Sequence, residues 1–356
     1  MFKKIMPFLL VTTILLAACG GATETPTAEP ATPSGPRTLT VMTHDSFAVS
    51  EDVIAQFEAE NDVTVTFLMS GDTGTAVSKA VLAADNPLAD VFYGVDNTFL
   101  SRALDGDIFA AYDSPALADI PDQFKLDPEK RAIPVDYGDV CLNYEIAYFE
   151  ENELEPPQSL EDLTEPEYAG LLTVENPATS SPGLAFLFAT VGHFGEDGYL
   201  DYWQQLVDND LNVVNDWETA YYSAFSRWGG EYPIVVSYNS SPPVELIYAE
   251  EPMDEPVTAV VTAPDTCFRQ IEFVGILKGT ENRDLAEKWV DFMLSTTFQE
   301  DIPLQMFVFP VNSDAELDQT FVDFLEFTEQ PVELSPEDIT AHRQEWIEAW
   351  TETVLR

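Results

Sequence analysis

The stretches "TLTVMTH" (38–44), "VTVTFLM" (63–69) and "ADVFYGV" (89–95) are separated by segments with helical spacing at 51–60 and 74–84. Short runs rich in Val, Thr, Phe and Tyr read as strands, and their alternation with helices is the rhythm of an α/β fold rather than of a bundle or a sandwich. Segment 97–104 then reads as helical and "RAIPVDY" (131–137) as extended. After residue 150 the rhythm restarts with "LLTVENP" (171–177), a helix from about 184, a helix at 199–207, "LNVVN" (211–215), a helix at 217–227 and "PIVVSY" (233–238). A strand-like "CFRQIEFVGIL" (267–277) comes next, and Asn282–Leu294 and Ser335–Val354 carry helical spacing with capping signals. Two α/β lobes are therefore expected, with no internal repeat.

Lys3 and Lys4 precede an apolar run, Met6 to Leu16, that ends in Leu16-Ala17-Ala18-Cys19. A basic start, a hydrophobic core too short for a stable span and a small-residue site closed by cysteine resemble a bacterial lipoprotein signal. It implies removal of residues 1–18, lipidation of Cys19 and attachment to the outer face of the cytoplasmic membrane. Residues 19–37, rich in Thr, Pro and Ala, have almost nothing to bury and read as a tether. No later apolar run is long enough to cross a bilayer. The roughly 320 residues that remain exceed what one core usually supports, in keeping with two lobes.

The chain carries 64 Asp and Glu against 15 Lys and Arg, a formal charge of −49. No basic patch can be assembled from so few cations among so many carboxylates, which excludes nucleic acid as a partner. The acid excess is spread along the chain, as expected of a solvated surface, with attraction of a cationic ligand as a secondary effect.

Apart from Cys19 there are two cysteines, Cys141 and Cys267, each in a strand-like context. Outside the cytoplasm an even pair is ordinarily a disulfide. If the two strands run side by side their Cα atoms are close enough to be bridged; two buried free thiols are the alternative.

In α/β sheets ligand groups come from loops at the carboxyl ends of strands. Here those loops hold His44-Asp45-Ser46, Ser70 to Thr75, Asp96-Asn97, Thr179-Ser180-Ser181-Pro182-Gly183, Asp216-Trp217 and Tyr238-Asn239-Ser240-Ser241. The turn in "VENPATSSPGLAF" (174–186) combines hydroxyls with free backbone N–H groups, a composition suited to a small anion. Singly, such residues are also ordinary helix caps, and Trp217 and Tyr238 could be core aromatics.

Taken together, "LTVMTHDSF", "ADVFYGVDN", "VDYG", "PPQSLEDL", "NPATSSPGL", "VVSYNSSP", "DFMLSTTFQEDIP", "FPV" and "AHRQEWIEAW" occur in a family's order from about Leu39 to Arg356. The chain resembles the substrate-binding protein of a bacterial thiamine ABC importer, within the two-lobed class that also holds ferric-iron and sulfate binders. The resemblance implies a type II periplasmic-binding-protein-like fold, with crossing strands after Asp136-Tyr137-Gly138 and from Cys267 as the hinge, which also favours the disulfide. It implies lobe 1 at 38–138 and 268–315, lobe 2 at 139–267, and a helical segment, 316–356, packed on both. Ser180 matches a serine that meets the phosphate of thiamine phosphates, and Gly183 a position of close backbone approach. Trp217 and Tyr238 match cleft aromatics, and Asp72 an acid on the opposite lobe. His44, Asp45, Asp96, Asp136, Tyr137, Tyr221, Asn239 and Phe307 complete the expected ligand set. His44 and Val244 stand where better-known members carry tyrosine, and Phe307 where they carry tryptophan.

The resemblance further implies an extracytoplasmic, lipid-anchored, monomeric receptor that captures thiamine or a thiamine phosphate and hands it to a permease and its ATPase. Neither cofactor nor metal is implied. Tyr221-Tyr222 could suggest a ferric site, but neighbouring residues on a helix point about 100° apart and do not readily chelate one ion. A surface-anchored enzyme is the other class considered. The chain has no H-E-x-x-H, G-x-S-x-G or P-loop motif, and a hydrolytic triad would need His44 as its base.

Overall fold

The computed structural model describes residues 37–356 except Glu329 and Glu333; the signal, Cys19 and nearly all of the tether lie outside the described residues. Among the described residues, eleven strands form one sheet: β1 (Arg37–Thr43), β2 (Val63–Met69), β3 (Val91–Asp96), β4 (Phe109–Ala110), β5 (Ile133–Glu145), β6 (Leu172–Glu175), β7 (Asn212–Val214), β8 (Ile234–Tyr238), β9 (Thr258–Val261), β10 (Phe268–Leu277) and β11 (Phe309–Pro310). The main order is β2-β1-β3-β10-β5-β8-β6-β7. β1 runs parallel to β2 and β3, and β6 runs parallel to β7 and β8, as β-α-β units require.

The middle of the sheet is antiparallel. β5 pairs along Ile133–Val140 with β10 and along Val140–Tyr144 with β8, so one thirteen-residue strand belongs to both halves of the molecule. β10 likewise faces β5 on one side and β3 on the other, and its register shifts near Glu272. Both strands are buried along nearly their whole length, which explains their apolar runs; Asp136 and Glu272 interrupt those runs at directly opposed positions.

Helices cover the sheet: α1 (Glu51–Asn61), α2 (Thr73–Leu82), α3 (Leu100–Asp105), α4 (Ile146–Glu151), α5 (Ser181–Phe194), α6 (Tyr199–Asp208), α7 (Ser241–Ile247), α8 (Arg283–Met293), α9 (Thr296–Gln305), α10 (Gln319–Phe324) and α11 (Pro336–Val354). None of the described helices is long and apolar enough to cross a membrane. α5 is buried from Ser181 through Val191 and forms the centre of one half. The C-terminal segment divides, with α10 on α7 and α11 on α6 and α3. Trp346 meets Phe188 edge to face and Trp350 meets Trp203 the same way. Truncating a fully buried tryptophan such as Trp350 costs about 3–5 kcal/mol, so α11 is part of the core.

One expected helix takes another form. Segment 217–227 is a π turn at Thr219–Ala224 followed by a 3₁₀ turn at Ser226–Trp228. The Phe225 N–H reaches back five residues to the Ala220 carbonyl, and Phe225 turns extended to bridge Tyr232. Burial of Ala220, Tyr221 and Phe225 on one small face holds the wider turn in place.

Cys141 and Cys267 form a disulfide with Cα atoms 4.5 Å apart. Val140 opposes Phe268 and Asp139 opposes Arg269, so the same register carries Cys141 to a place opposite Cys267. The bond closes a separation of 126 residues. Loop entropy then assigns it about 4–5 kcal/mol. The double substitution Cys141→Ala/Cys267→Ala should lower the unfolding midpoint by several degrees, and reductant should shift the wild type but not the variant in a calorimetric scan. Equal midpoints for the two proteins would remove the stabilising role.

Candidate functional site

A cavity of about 490 Å³ lies where the loops of the two halves meet. β1 ends at Thr43, and the turn after it brings in His44 and Ser46; β10 supplies Glu272 and β8 supplies Tyr238. Asp72, the N-cap of α2, stands opposite Ser181 and Pro182 in the first turn of α5. The π turn contributes Tyr221 and Tyr222, the residues just before it Trp217 and Glu218, and the segment after α9 contributes Met306 and Phe307.

Aromatic rings dominate one wall. Trp217 stacks on Tyr221 at 5.1 Å and 13°, and Tyr238 meets Trp217 nearly edge-on at 6.1 Å. Trp217 is oriented by its Nε1–H, which donates to Ser237 Oγ at 3.1 Å. Tyr221 donates to Glu245 Oε1 at 2.8 Å, and Glu245 also receives Thr258 Oγ1 at 2.9 Å. Phe307 adopts φ +61°, a left-handed conformation that is uncommon for a bulky residue. Ser240 Oγ donates to its carbonyl, which fixes this backbone at the cavity edge.

Acids outnumber bases at the cavity, where His44 pairs with Glu272 and Arg227 reaches Glu245 from behind at 3.3 Å. Asp72, Glu218, Glu245 and Glu272 line the cavity, and among the described residues no Lys or Arg does. Burial works against a charged His44, but Glu272, with Asp72 and Asp45, outweighs it and raises the imidazole pKa. The His44 Nε2 to Glu272 separation is 3.5 Å. Burial likewise opposes ionised Glu272, yet the contact with His44 holds its pKa below the usual value. Asp136 goes the other way: burial, then the Glu272 charge, push it well above the carboxylate range. Tyr93 Oη bridges the two acids, 2.6 Å from Asp136 and 2.9 Å from Glu272. The cluster is thus a neutral acid beside an ion pair.

A second chain of bonds runs from Tyr238 Oη to Gln270 Oε1 at 2.6 Å, and from Gln270 Nε2 to Asp96. Burial pushes Asp96 up to about 7, although Gln270 and Thr98 both favour its charged form.

Of the residues expected from sequence, His44, Asp72, Trp217, Tyr221, Tyr238 and Phe307 line the cavity. Asp96 and Asp136 lie beneath it, fully buried. Ser180 is also fully buried, with its Oγ beside the Asp72 carboxylate and without a hydrogen-bond partner of ordinary geometry; Ser181 reaches the cavity in its place. Gly183 lies against β6, where a Cβ would stand 2.5 Å from the Glu175 carbonyl oxygen, so its close approach is to the protein's own strand. Asp45 donates its N–H to the Gly71 carbonyl in the turn beside the cavity. Tyr137 stacks on Phe124 at 4.8 Å and lies under Arg269, outside the cavity wall. Asn239 accepts from the Asp139 N–H and donates to the Glu326 carbonyl, a joint between segments. Sequence reasoning missed Glu218, Trp228, Glu245 and Glu272. Only Glu272 carried a signal, as a lone acid inside an apolar ten-residue strand.

Residues 86–323 match the family model described as bacterial extracellular solute-binding protein. The chain belongs to this family. The thiamine-binding periplasmic protein of Escherichia coli is 30% identical over 324 residues, which cover 89% of this chain and 94% of that protein. A solved structure titled periplasmic thiamin binding protein superposes with a TM-score of 0.77 at 27% identity, over 90% of this chain and 99% of that one. The ferric binding protein from Campylobacter jejuni, at 19% identity and a TM-score of 0.73 over 88% of this chain and 99% of that one, shares the fold. The solute-binding protein therefore has the two-lobed type II periplasmic-binding-protein fold, with β5 and β10 as its crossing strands. In this solute-binding protein Tyr221 and Tyr222 are divided in role: the first is buried on Glu245 and the second is 44% exposed, with their rings 87° apart.

Asp96 makes the electrostatics testable. Its pKa in the folded chain is about 7, against 3.8 for an unperturbed aspartate. Stability from a group whose folded value is raised is complete below the unfolded value and is lost as pH climbs through the folded one. Ionisation of Asp96 therefore costs up to about 4 kcal/mol between pH 4 and pH 8. Asp96→Asn should show a shallower fall of stability over that window in urea titrations at several pH values. Identical slopes would contradict the assignment.

Proposed function

We propose that this protein is the receptor of an ABC importer for thiamine, capturing the vitamin outside the cytoplasm and delivering it without chemical change. The observation that carries this is the cavity itself: stacked aromatic rings and four carboxylates, with no Lys or Arg among the described residues of the lining. A thiazolium ring has a fixed positive charge at every pH, and such a cation over an aromatic face gains about 0.5–2 kcal/mol, more as water is excluded. Its aminopyrimidine needs stacking surfaces and hydrogen-bond partners, which Trp217, Tyr238 and Glu272 offer. The thiamine-binding relatives, similar along nearly their whole length, point the same way.

The mechanism is closure of the two lobes. Contacts from both sides of the cavity stabilise the closed form only when a ligand fills it, and permease and ATPase respond to that form. Cys19 anchors the monomer to the outer face of the membrane by its lipid, with 19–37 as the tether. Cys19→Ala should release the protein from the membrane fraction, and retention there would refute the anchor.

Trp217→Leu keeps an apolar side chain and removes the ring. It should weaken thiamine binding by about 3- to 30-fold in calorimetry, the loss of a cation–aromatic contact. Absence of binding to the wild type, or turnover of thiamine, would overturn the reading.

A further inference from the structure

The cavity wall carries a cation of its own. His44 and Glu272 both line the cavity, each only 7% exposed, with His44 Nε2 3.5 Å from Glu272 Oε1. That separation suits an ion pair but is long for a hydrogen bond, and Nε2 has no hydrogen-bond partner among the described residues. The imidazole cannot retreat from the wall. Its Cδ2 lies against Gly94, where a Cβ would come within 2.3 Å, and its ring packs 5.7 Å from that of Tyr93.

Among the described residues, the titratable groups that face this imidazole are acids. Glu272 comes from β10, Asp72 from the head of α2, Asp45 from the same turn and Glu218 from the residues before the π turn. Tyr93 of β3 stands beside it, with Asp136 of β5 behind. Burial opposes the imidazolium, but Glu272, Asp72 and Asp45 together raise its pKa above the ordinary value. The nearest relay is full: burial and the Glu272 charge keep Asp136 protonated, and Tyr93 Oη already spans both acids.

A ligand with a fixed positive charge enters about 490 Å³ that already holds this imidazolium, and both seek the Glu272 carboxylate. Like charges confined away from water repel strongly. A thiazolium nitrogen has no proton to give up. The imidazole has one, and the open cleft gives it a way out before the lobes close.

We propose that capture of the cation expels a proton from His44. The Nε2–H bond breaks, its electron pair stays on the nitrogen, the proton passes to solvent, and Glu272 remains ionised as the counter-ion of the bound ring. This rests on the thiamine reading above for the identity of the cation. His44 thereby sets a pH window for capture: affinity climbs with pH from the titration midpoint of the loaded protein to that of the free one, and is level above it.

The test follows the His44 imidazole by NMR from about pH 5 to pH 9, with and without thiamine. His193 and His342 serve as references in the same spectra, and loss of a signal in His44→Gln identifies that of His44. The free midpoint should lie above the ordinary value of about 6.5, and thiamine should lower it by at least about one pH unit while the references stay in place. Calorimetry in two buffers of different protonation enthalpy should count up to about one proton released per thiamine, with affinity rising at most about ten-fold per pH unit inside the window. Glu272→Gln should lower the free midpoint; the wild-type comparison stands alone should that variant not fold. A midpoint that thiamine leaves unmoved or raises, or that a folded Glu272→Gln variant fails to lower, would overturn the proposal. If the wild type binds no thiamine, the thiamine reading fails, and N-methylthiazolium titrated into the same spectra decides the exchange: a lowered midpoint supports it and an unmoved one refutes it.

Discussion

The antiparallel pairing of β5 with β10 is the constraint on which everything else hangs. These two strands belong to both halves of the sheet, and their register sets three things at once. It brings Cys141 opposite Cys267, it opposes Asp136 and Glu272, and it delivers Glu272 to the cavity floor beside His44. A one-residue slip would turn every side chain to the other face. The disulfide locks that register where the strands enter the second lobe.

Around this centre the protein concentrates negative groups where its own charge already disfavours them. Acids beneath and beside the cavity are held either by neutralisation, as at Asp136, or by an internal cation, as at Glu272 with His44. The cavity meets its ligand with aromatic faces and carboxylates, while the donors at the head of α5 are already engaged by Asp72. Attraction of a cation is thus built into the aromatic wall and the carboxylates around it.

Much of this was legible in the sequence because strands and helices alternate with clear punctuation, and because the cavity residues come just after strand ends. Asp72, Trp217 and Tyr238 could be named for that reason. Ser180 and Gly183 could be named but not interpreted. The Ser180 hydroxyl is shut in beside Asp72, which depends on how the two lobes approach, and Gly183 lies against the Glu175 carbonyl, which depends on how α5 packs on β6. Glu245 and Trp228 were invisible because they reach the cavity only through α7 and through the 3₁₀ turn that follows the π turn, and the five-residue reach of the π turn has no periodic signature. The exposure of Tyr222 beside a buried Tyr221 results from the same local winding.

The C-terminal helix has a mechanical consequence. α11 rests on α6 in the second lobe and on α3 in the first, where the Arg343 guanidinium lies 5.4 Å from the Phe99 ring. A body fastened at two separate points to another turns freely only about the line joining them. With β5 and β10 as one fastening and α11 as the other, the relative rotation of the lobes is reduced towards a single axis. A twist between the lobes would break one of the two fastenings, whereas a swing about the line that joins them breaks neither.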